Sequence, residues 1–232
     1  MEFDGTQKTI GHGAQAEVLL YHGFAYKVYR PSYPEGWIRF EKQQQRAVNR
    51  AGLCPVRYYD TDDAHIIKMD LVEGDTLENR VREGYLQGFD LLAQAMRFVH
   101  EKDITGIDMP RFIHTASMGL SEEQSAEIMP VIERLTSEMK ECVCHLDMHF
   151  LNIMTPKDST EMTIIDWMNA RIAPAVFDYA RTYVIFDEFA KEATDLYMNA
   201  VLPDIRKLGI SDSDFEDAVR VCTIIRQREK MI

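Results

Sequence analysis

The sequence predicts an α+β chain in two lobes, a β-rich amino-terminal lobe over residues 1–72 and a larger helical lobe over residues 73–232. Two observations carry this. Short runs rich in β-formers, separated by turn residues, fill the first 72 positions, whereas apolar residues recur at helical spacing beyond them. The 46% hydrophobic content leaves ample material for a core and argues against disorder.

The elements follow in order. Lys8-Thr9-Ile10, Glu17 to Tyr21 and Phe24 to Tyr29 read as three strands, punctuated by the Gly11-to-Ala16 turn and by His22-Gly23. From Pro34 to Ala51 the chain lacks a helix breaker apart from Gly36 and stops at Gly52, which predicts a helix. Val56 to Thr61 and His65 to Val72 read as two further strands around Asp62-Asp63, with Glu73-Gly74-Asp75 as the break. Phe89, Leu92, Met96 and Val99 mark one helix; Ile128, Ile132, Leu135 and Met139 mark another, capped by Ser121 and kinked or restarted at Pro130. Thr163 to Trp167 reads as a short strand. One helix is expected from Val176 to Val201 and a last one from about Ser211, where Asp212 and Asp214 suit its positive end.

Composition narrows the function classes. The formal charge of −12 disfavours a nucleic-acid binder, since phosphate backbones are held by clustered Lys and Arg. No apolar stretch approaches the about 20 residues of a membrane span, and the first residues lack signal-peptide character, so a cytoplasmic protein without membrane contact is expected. Cys54, Cys142, Cys144 and Cys222 match no disulfide or zinc spacing and read as reduced core thiols, Cys142 and Cys144 sharing one strand face.

The candidate chemistry sits in three places. Gly11 and Gly13 either let backbone N–H groups approach phosphate oxygens or form an ordinary hairpin turn. Lys27 is unusual in an apolar strand; it either touches a ligand phosphate, with Glu41 as its carboxylate partner, or snorkels to water. The run His145-Leu146-Asp147-Met148-His149-Phe150-Leu151-Asn152, followed by Ile165-Asp166-Trp167, is the most specific signal. Asp147, Asn152 and Asp166 supply what phosphoryl transfer needs: a carboxylate for the attacking hydroxyl, and an amide oxygen and second carboxylate for a divalent cation.

On these residues, with Met69 to Gly74 as a hinge and Asp178-Tyr179-Ala180-Arg181 beyond, the chain resembles the aminoglycoside phosphotransferase and choline kinase family of the protein-kinase-like fold. The resemblance implies an ATP- and Mg²⁺-dependent kinase that phosphorylates a hydroxyl group of a small molecule. It implies Asp147 as catalytic base, Asn152 and Asp166 as Mg²⁺ ligands, and Lys27, paired with Glu41, on the ATP phosphates. Gly11 and Gly13 then cover the phosphates, the backbone from Asp70 to Val72 holds adenine, and Asp178 braces the catalytic loop. Leu146, Phe150 and Leu151 stand where the family often has Gly, Pro and Gly, which implies a stiffer loop. Only 12 positions separate Asp166 from Asp178, too few for the long activation segment of ordinary protein kinases.

For the acceptor, Asp187, Glu188, Glu192 and Asp195 either bind a cationic, amine-bearing molecule or form a solvated acidic face. Tyr179, Tyr183 and Phe186 read as core. The competing readings are a compact atypical kinase working with partner proteins, an inert nucleotide-binding pseudokinase, and a metallohydrolase using His145, Asp147 and His149 as zinc ligands.

Overall fold

The computed structural model describes residues 3–13, 15–157 and 159–229. Strands β1 (Lys8–His12), β2 (Ala16–Tyr21), β3 (Phe24–Tyr29), β4 (Tyr58–Tyr59) and β5 (Ile66–Asp70) form one antiparallel sheet in the order β1-β2-β3-β5-β4. Helix α1 (Glu35–Arg50) packs on it. Beyond the sheet lie β6 (Asp75–Thr76), α2 (Leu77–Arg82), α3 (Gly88–His100), α4 (Glu122–Glu138), β7 (Glu141–Cys144), β8 (Ile153–Thr155), β9 (Thr163–Ile164), β10 (Arg171–Pro174), α5 (Ala175–Phe189), α6 (Thr194–Lys207) and α7 (Asp212–Glu229). The α+β architecture, sheet first and helices after, agrees with the sequence reading.

Burial of the apolar stripes explains most of these elements. Leu91, Leu92, Ala95, Met96 and Val99 turn one face of α3 into the large core, where the helix packs on α6 and β7. A smaller cluster of Ala16, Tyr29, Ile38 and Ile67 lies between the sheet and α1. Helix α1 is less ordinary, because its buried face carries Glu41, Gln44 and Gln45. Each has a partner: Gln44 Nε2 donates to the Ala170 carbonyl at 2.6 Å and Gln45 Nε2 to that of Val56 at 2.6 Å. Buried polar groups on a helix face are costly unless bonded, so these contacts set where α1 docks.

Two expectations need correction. The single helix from Val176 to Val201 is two, broken at Ala190 (φ −154°). The break folds α6 back on α5, so that the Tyr197 hydroxyl donates to the Tyr179 carbonyl at 2.8 Å and the Phe186 and Tyr197 rings lie 5.4 Å apart. In a continuous helix residues 179 and 197 would stand about 27 Å apart. Pro130, in turn, does not restart its helix: α4 runs through it. Its missing N–H deprives only the carbonyl of Ala126, an exposed residue that water can satisfy.

Other sequence readings hold in kind, though the strand expected over Thr163 to Trp167 is only Thr163–Ile164. Ser121 caps α4 with a reciprocal Gln124 bond. All four cysteines are free and buried, and Cys142 and Cys144 share a face with sulfurs 3.8 Å apart. The expected Val56–Thr61 strand shrinks to Tyr58–Tyr59 because Thr61 turns inward, its hydroxyl donating to the carbonyls of Asp63 and Ile66. Among the described residues no helix is long and apolar enough to cross a membrane.

Candidate active site

Strand register places the first group. Gly11 pairs with Val18, Val18 with Lys27 and Lys27 with Ile67, so Gly11 and Lys27 share one cross-strand row about 10 Å apart. Gly13 follows β1 and its N–H closes the turn on the Ala16 carbonyl at 2.8 Å; Ala14 of this turn lies outside the described residues.

Lys27 Nζ bonds Glu41 Oε1 at 2.8 Å and Asp166 Oδ1 at 3.4 Å. Burial alone would push the ammonium down, but the Asp166 and Glu41 carboxylates outweigh it and hold its pKa above the ordinary lysine value. The lysine therefore does not snorkel to water. Glu41 is oriented by three donors, since the hydroxyls of Tyr29 and, at 3.4 Å, Tyr58 also reach it. Burial first, and Glu41 next, raise both phenols, which stay protonated donors.

Asp166 adopts a left-handed backbone (φ 62°, ψ 62°) at the end of β9. Lys27 is the main reason its carboxyl titrates below the usual carboxylate range. Ile165 N–H donates to the Asn152 carbonyl at 3.0 Å, which ties this strand end to the loop after β7. In that loop Asn152 Nδ2 donates to the Asp147 carbonyl at 2.9 Å and to Asp147 Oδ2 at 3.3 Å. With its nitrogen so engaged, Asn152 has its amide oxygen left for a cation. Asn152 and Asp166 thus supply the hard oxygen donors that fit Mg²⁺.

The loop itself is braced from below. Leu146 sits at φ 57°, a strained value for a branched residue. Asp178, fully buried on α5, accepts from Leu146 N–H at 2.7 Å and from His145 N–H at 3.0 Å. Its Oδ2 also meets His100 Nε2 at 2.8 Å. His145 Nε2 reaches the Ile165 carbonyl at 3.0 Å, linking both halves of the site. The neighbouring His149 titrates below the ordinary histidine value because it is buried, despite the opposing pull of Asp147.

A cleft of about 600 Å³ is lined by Asp70 to Glu73 on one side and by Pro156 and Glu161 to Thr163 on the other, Thr163 standing three residues before Asp166. Asp70 and Val72 both line it. The Asp70 carboxylate is spent on Arg57 N–H and the Tyr59 hydroxyl, at 2.9 Å each, and the Asp70 N–H on the Arg57 carbonyl at 3.1 Å.

The metallohydrolase reading fails on geometry. Among the described residues the one cluster of metal-ligating side chains is His100, Cys142 and Cys144, not His145, Asp147 and His149. Of the acidic helix residues, Glu188 pairs with Arg226 at 3.0 Å and Asp187 with Lys191 at 3.7 Å, while Glu192 and Asp195 are exposed. Tyr179 and Phe186 are core, as expected. Sequence reasoning missed His100, Tyr29 and Tyr58. His100 was open to discovery, because it stands four residues after Met96 on the apolar stripe of α3, where an unpaired imidazole would be costly.

Search of curated proteins returns no match. Among solved structures the chain is similar to an aminoglycoside-3′-phosphotransferase of type VIII (TM-score 0.69, 17% identity, 94% of this chain and 93% of that one). It is also similar to an aminoglycoside phosphotransferase from Streptomyces rimosus (0.67, 18%, 96% and 93%) and to a choline/ethanolamine kinase family protein from Mesorhizobium loti (0.64, 14%, 98% and 79%). At these identities the likeness speaks for a shared protein-kinase-like fold. The model of the phosphotransferase enzyme family matches residues 6–209, most of the chain, and the protein therefore belongs to that family.

Proposed function

We propose that the chain transfers the γ-phosphoryl group of ATP to a hydroxyl group of a small molecule, with Mg²⁺ held by Asn152 and Asp166. The observation that carries this is the Lys27–Glu41–Asp166 bridge beside Asp147 and Asn152. It joins a cation for phosphate oxygens, a cation-binding pair and a carboxylate for the hydroxyl proton at one edge of a nucleotide-sized cleft. None of the four residues is lost, which favours an active enzyme over a pseudokinase.

In the transfer, a bond forms between the acceptor oxygen and the γ-phosphorus while the bond from that phosphorus to the β–γ bridging oxygen breaks. The acceptor proton passes to the Asp147 carboxylate and ADP leaves. Asn152 Nδ2, bonded to Asp147, fixes the carboxylate's aim. Mg²⁺ supplies charge neutralisation on the phosphate oxygens. Lys27, kept cationic by its two carboxylates, adds to it, and residues 70–72 present backbone groups to the adenine.

The test is a calorimetric titration of ATP with and without Mg²⁺. Lys27→Met should weaken Mg²⁺-dependent binding about tenfold or more, since a charge-assisted bond is lost. Asp147→Asn should retain that binding while turnover falls about 10²- to 10⁴-fold, the range for removing a positioned base. No ATP binding by the wild type at millimolar concentration overturns the proposal.

A further inference from the structure

A second cavity, of about 70 Å³, lies wholly in the helical lobe, where the catalytic loop meets the end of α7. Leu146, the residue before Asp147, forms one wall, and Arg171, Arg181, Arg228 and Glu229 supply its charges. Three guanidinium groups face one carboxylate, an excess of two positive charges in a chain whose formal charge is −12. The remaining ionisable group in the lining, Cys222, is neutral, its thiol pushed up to about 12 by burial.

The arginines are under-partnered. Among the described residues Glu229 is the one carboxylate on Arg181 and Arg228 (3.5 Å), and it also meets Arg226 (3.5 Å), which Glu188 holds as well; Arg228 Nη1 donates besides to the Met118 carbonyl. Arg181 is 4% exposed, and among the described residues its Nε has no partner; Nε of Arg228 is likewise buried and unbonded there. Arg171 meets no carboxylate among the described residues; it donates to the Thr115 hydroxyl at 3.1 Å and to the Met168 and Ala170 carbonyls, and lies over the Phe40 ring at 5.1 Å. Burial, with the Arg228 charge, pushes its pKa down to about 10. Buried guanidinium groups are ordinarily paired, and a planar fork of N–H donors fits carboxylate or phosphate oxygens.

The cavity is also well placed for an acceptor. Its wall residue Leu146 directly precedes Asp147, the proposed base, in the catalytic loop. The nucleotide cleft is elsewhere, at residues 70–73.

We infer that this cavity holds an anionic group of the acceptor, so that the enzyme phosphorylates a hydroxyl on a molecule bearing a carboxylate or phosphate rather than an amine. This rests on the phosphotransfer reading above. The anion seats on Arg171, Arg181 and Arg228 and turns the hydroxyl toward Asp147; the bonds made and broken are those already given. It replaces the cationic acceptor that the acidic helix suggested.

The experiment has two arms. ADP formation is followed with Mg-ATP and glycerate, gluconate or glycerol 2-phosphate, against glycerol, ethanolamine and choline. Anionic acceptors should be turned over with kcat/KM at least about tenfold above the others. Carboxylates outrunning phosphates, or the reverse, identifies the anion. In the second arm, inorganic phosphate and acetate are titrated into wild type, Arg171→Gln and Arg228→Gln. Each change should weaken anion binding about tenfold, and for any acceptor used should raise KM more than it lowers kcat. Arg181 is spared because its buried pair with Glu229 also holds α7. Preference for a neutral or amine-bearing acceptor, or anion binding untouched by both changes or absent from the wild type, overturns the inference. Wild-type protein that binds anions in this way but never Mg-ATP overturns the phosphotransfer reading instead, and leaves an anion site without a kinase.

Discussion

Asp178 concentrates the local energetics of the catalytic loop on one side chain. It holds two backbone N–H groups, one of them on the left-handed Leu146, and it pairs with His100, all out of reach of water. Replacing it by Ala strands two buried donors and an imidazole, which costs about 3 to 5 kcal/mol by analogy with other broken buried pairs. Asp178→Ala should therefore lower Tm steeply, and an unchanged melting curve would show that the loop is held by something else. The pair also has a pH signature. Burial would lower the His100 pKa, but Asp178 raises it above the ordinary 6.5; burial would raise the Asp178 pKa, but His100 and the loop lower it below 3.8. The histidine's contribution is therefore complete below pH 6.5 and lost as pH rises through its raised value. That of the aspartate is complete above pH 3.8 and lost as pH falls through its lowered value. Thermal melts of wild type and His100→Gln should differ most between pH 4 and 6.5 and converge at higher pH. A difference that is constant with pH would mean the pair is not charged.

At the scale of elements, the hinge shows how a single backbone position constrains the cleft. Gly74 has φ 110°, and a Cβ built there would stand 2.4 Å from the Thr155 carbonyl oxygen, so that only glycine lets β6 pair with β8. Gly74→Ala should destabilise by more than about 1 kcal/mol and should weaken Mg-ATP binding, because the adjoining residues 70–73 line the proposed nucleotide cleft. Chemical denaturation and calorimetry read the two effects separately; wild-type values in both would remove the constraint. This glycine was legible in the sequence as a break, whereas its clash with Thr155 was not, since the two are far apart along the chain. The same division runs through the fold. Strands β1 to β3, helix α1 and the stripe of α3 declared themselves by turn residues and periodicity. The break at Ala190 did not, because no Gly or Pro marks it and the reward, Tyr197 on Tyr179, is a tertiary contact. In the site, Lys27, Asp147, Asn152 and Asp166 could be picked out by residue type and spacing. The arginine cavity could not, because Arg171, Arg181 and Arg228 come from three different elements and look like surface charges until the chain is folded.

For the whole molecule, the proposed nucleotide contacts come from both lobes: Lys27 and the backbone of residues 70–72 from the sheet side, Asn152, Asp166 and Thr163 from the helical side. The lobes touch directly, through Lys27 on Asp166, Gln44 on the Ala170 carbonyl and the Tyr33 hydroxyl on Met168 Sδ at 3.7 Å. These contacts all converge on the segment just after β9, so they hold one edge of the cleft while residues 70–73 form the hinge at the other. A ligand that binds across such a cleft stabilises the assembled pair and neither lobe alone. At a hundredfold excess over its Kd, Mg-ATP should add about 2.7 kcal/mol, which for a chain of 232 residues raises Tm by about 5 to 10 °C. Calorimetry should show one transition moving as a unit, in wild type and in Asp147→Asn alike, with the shift reduced in Lys27→Met. Two resolved transitions of which only one moves with Mg-ATP would mean that the lobes unfold separately and that the nucleotide is held by one of them.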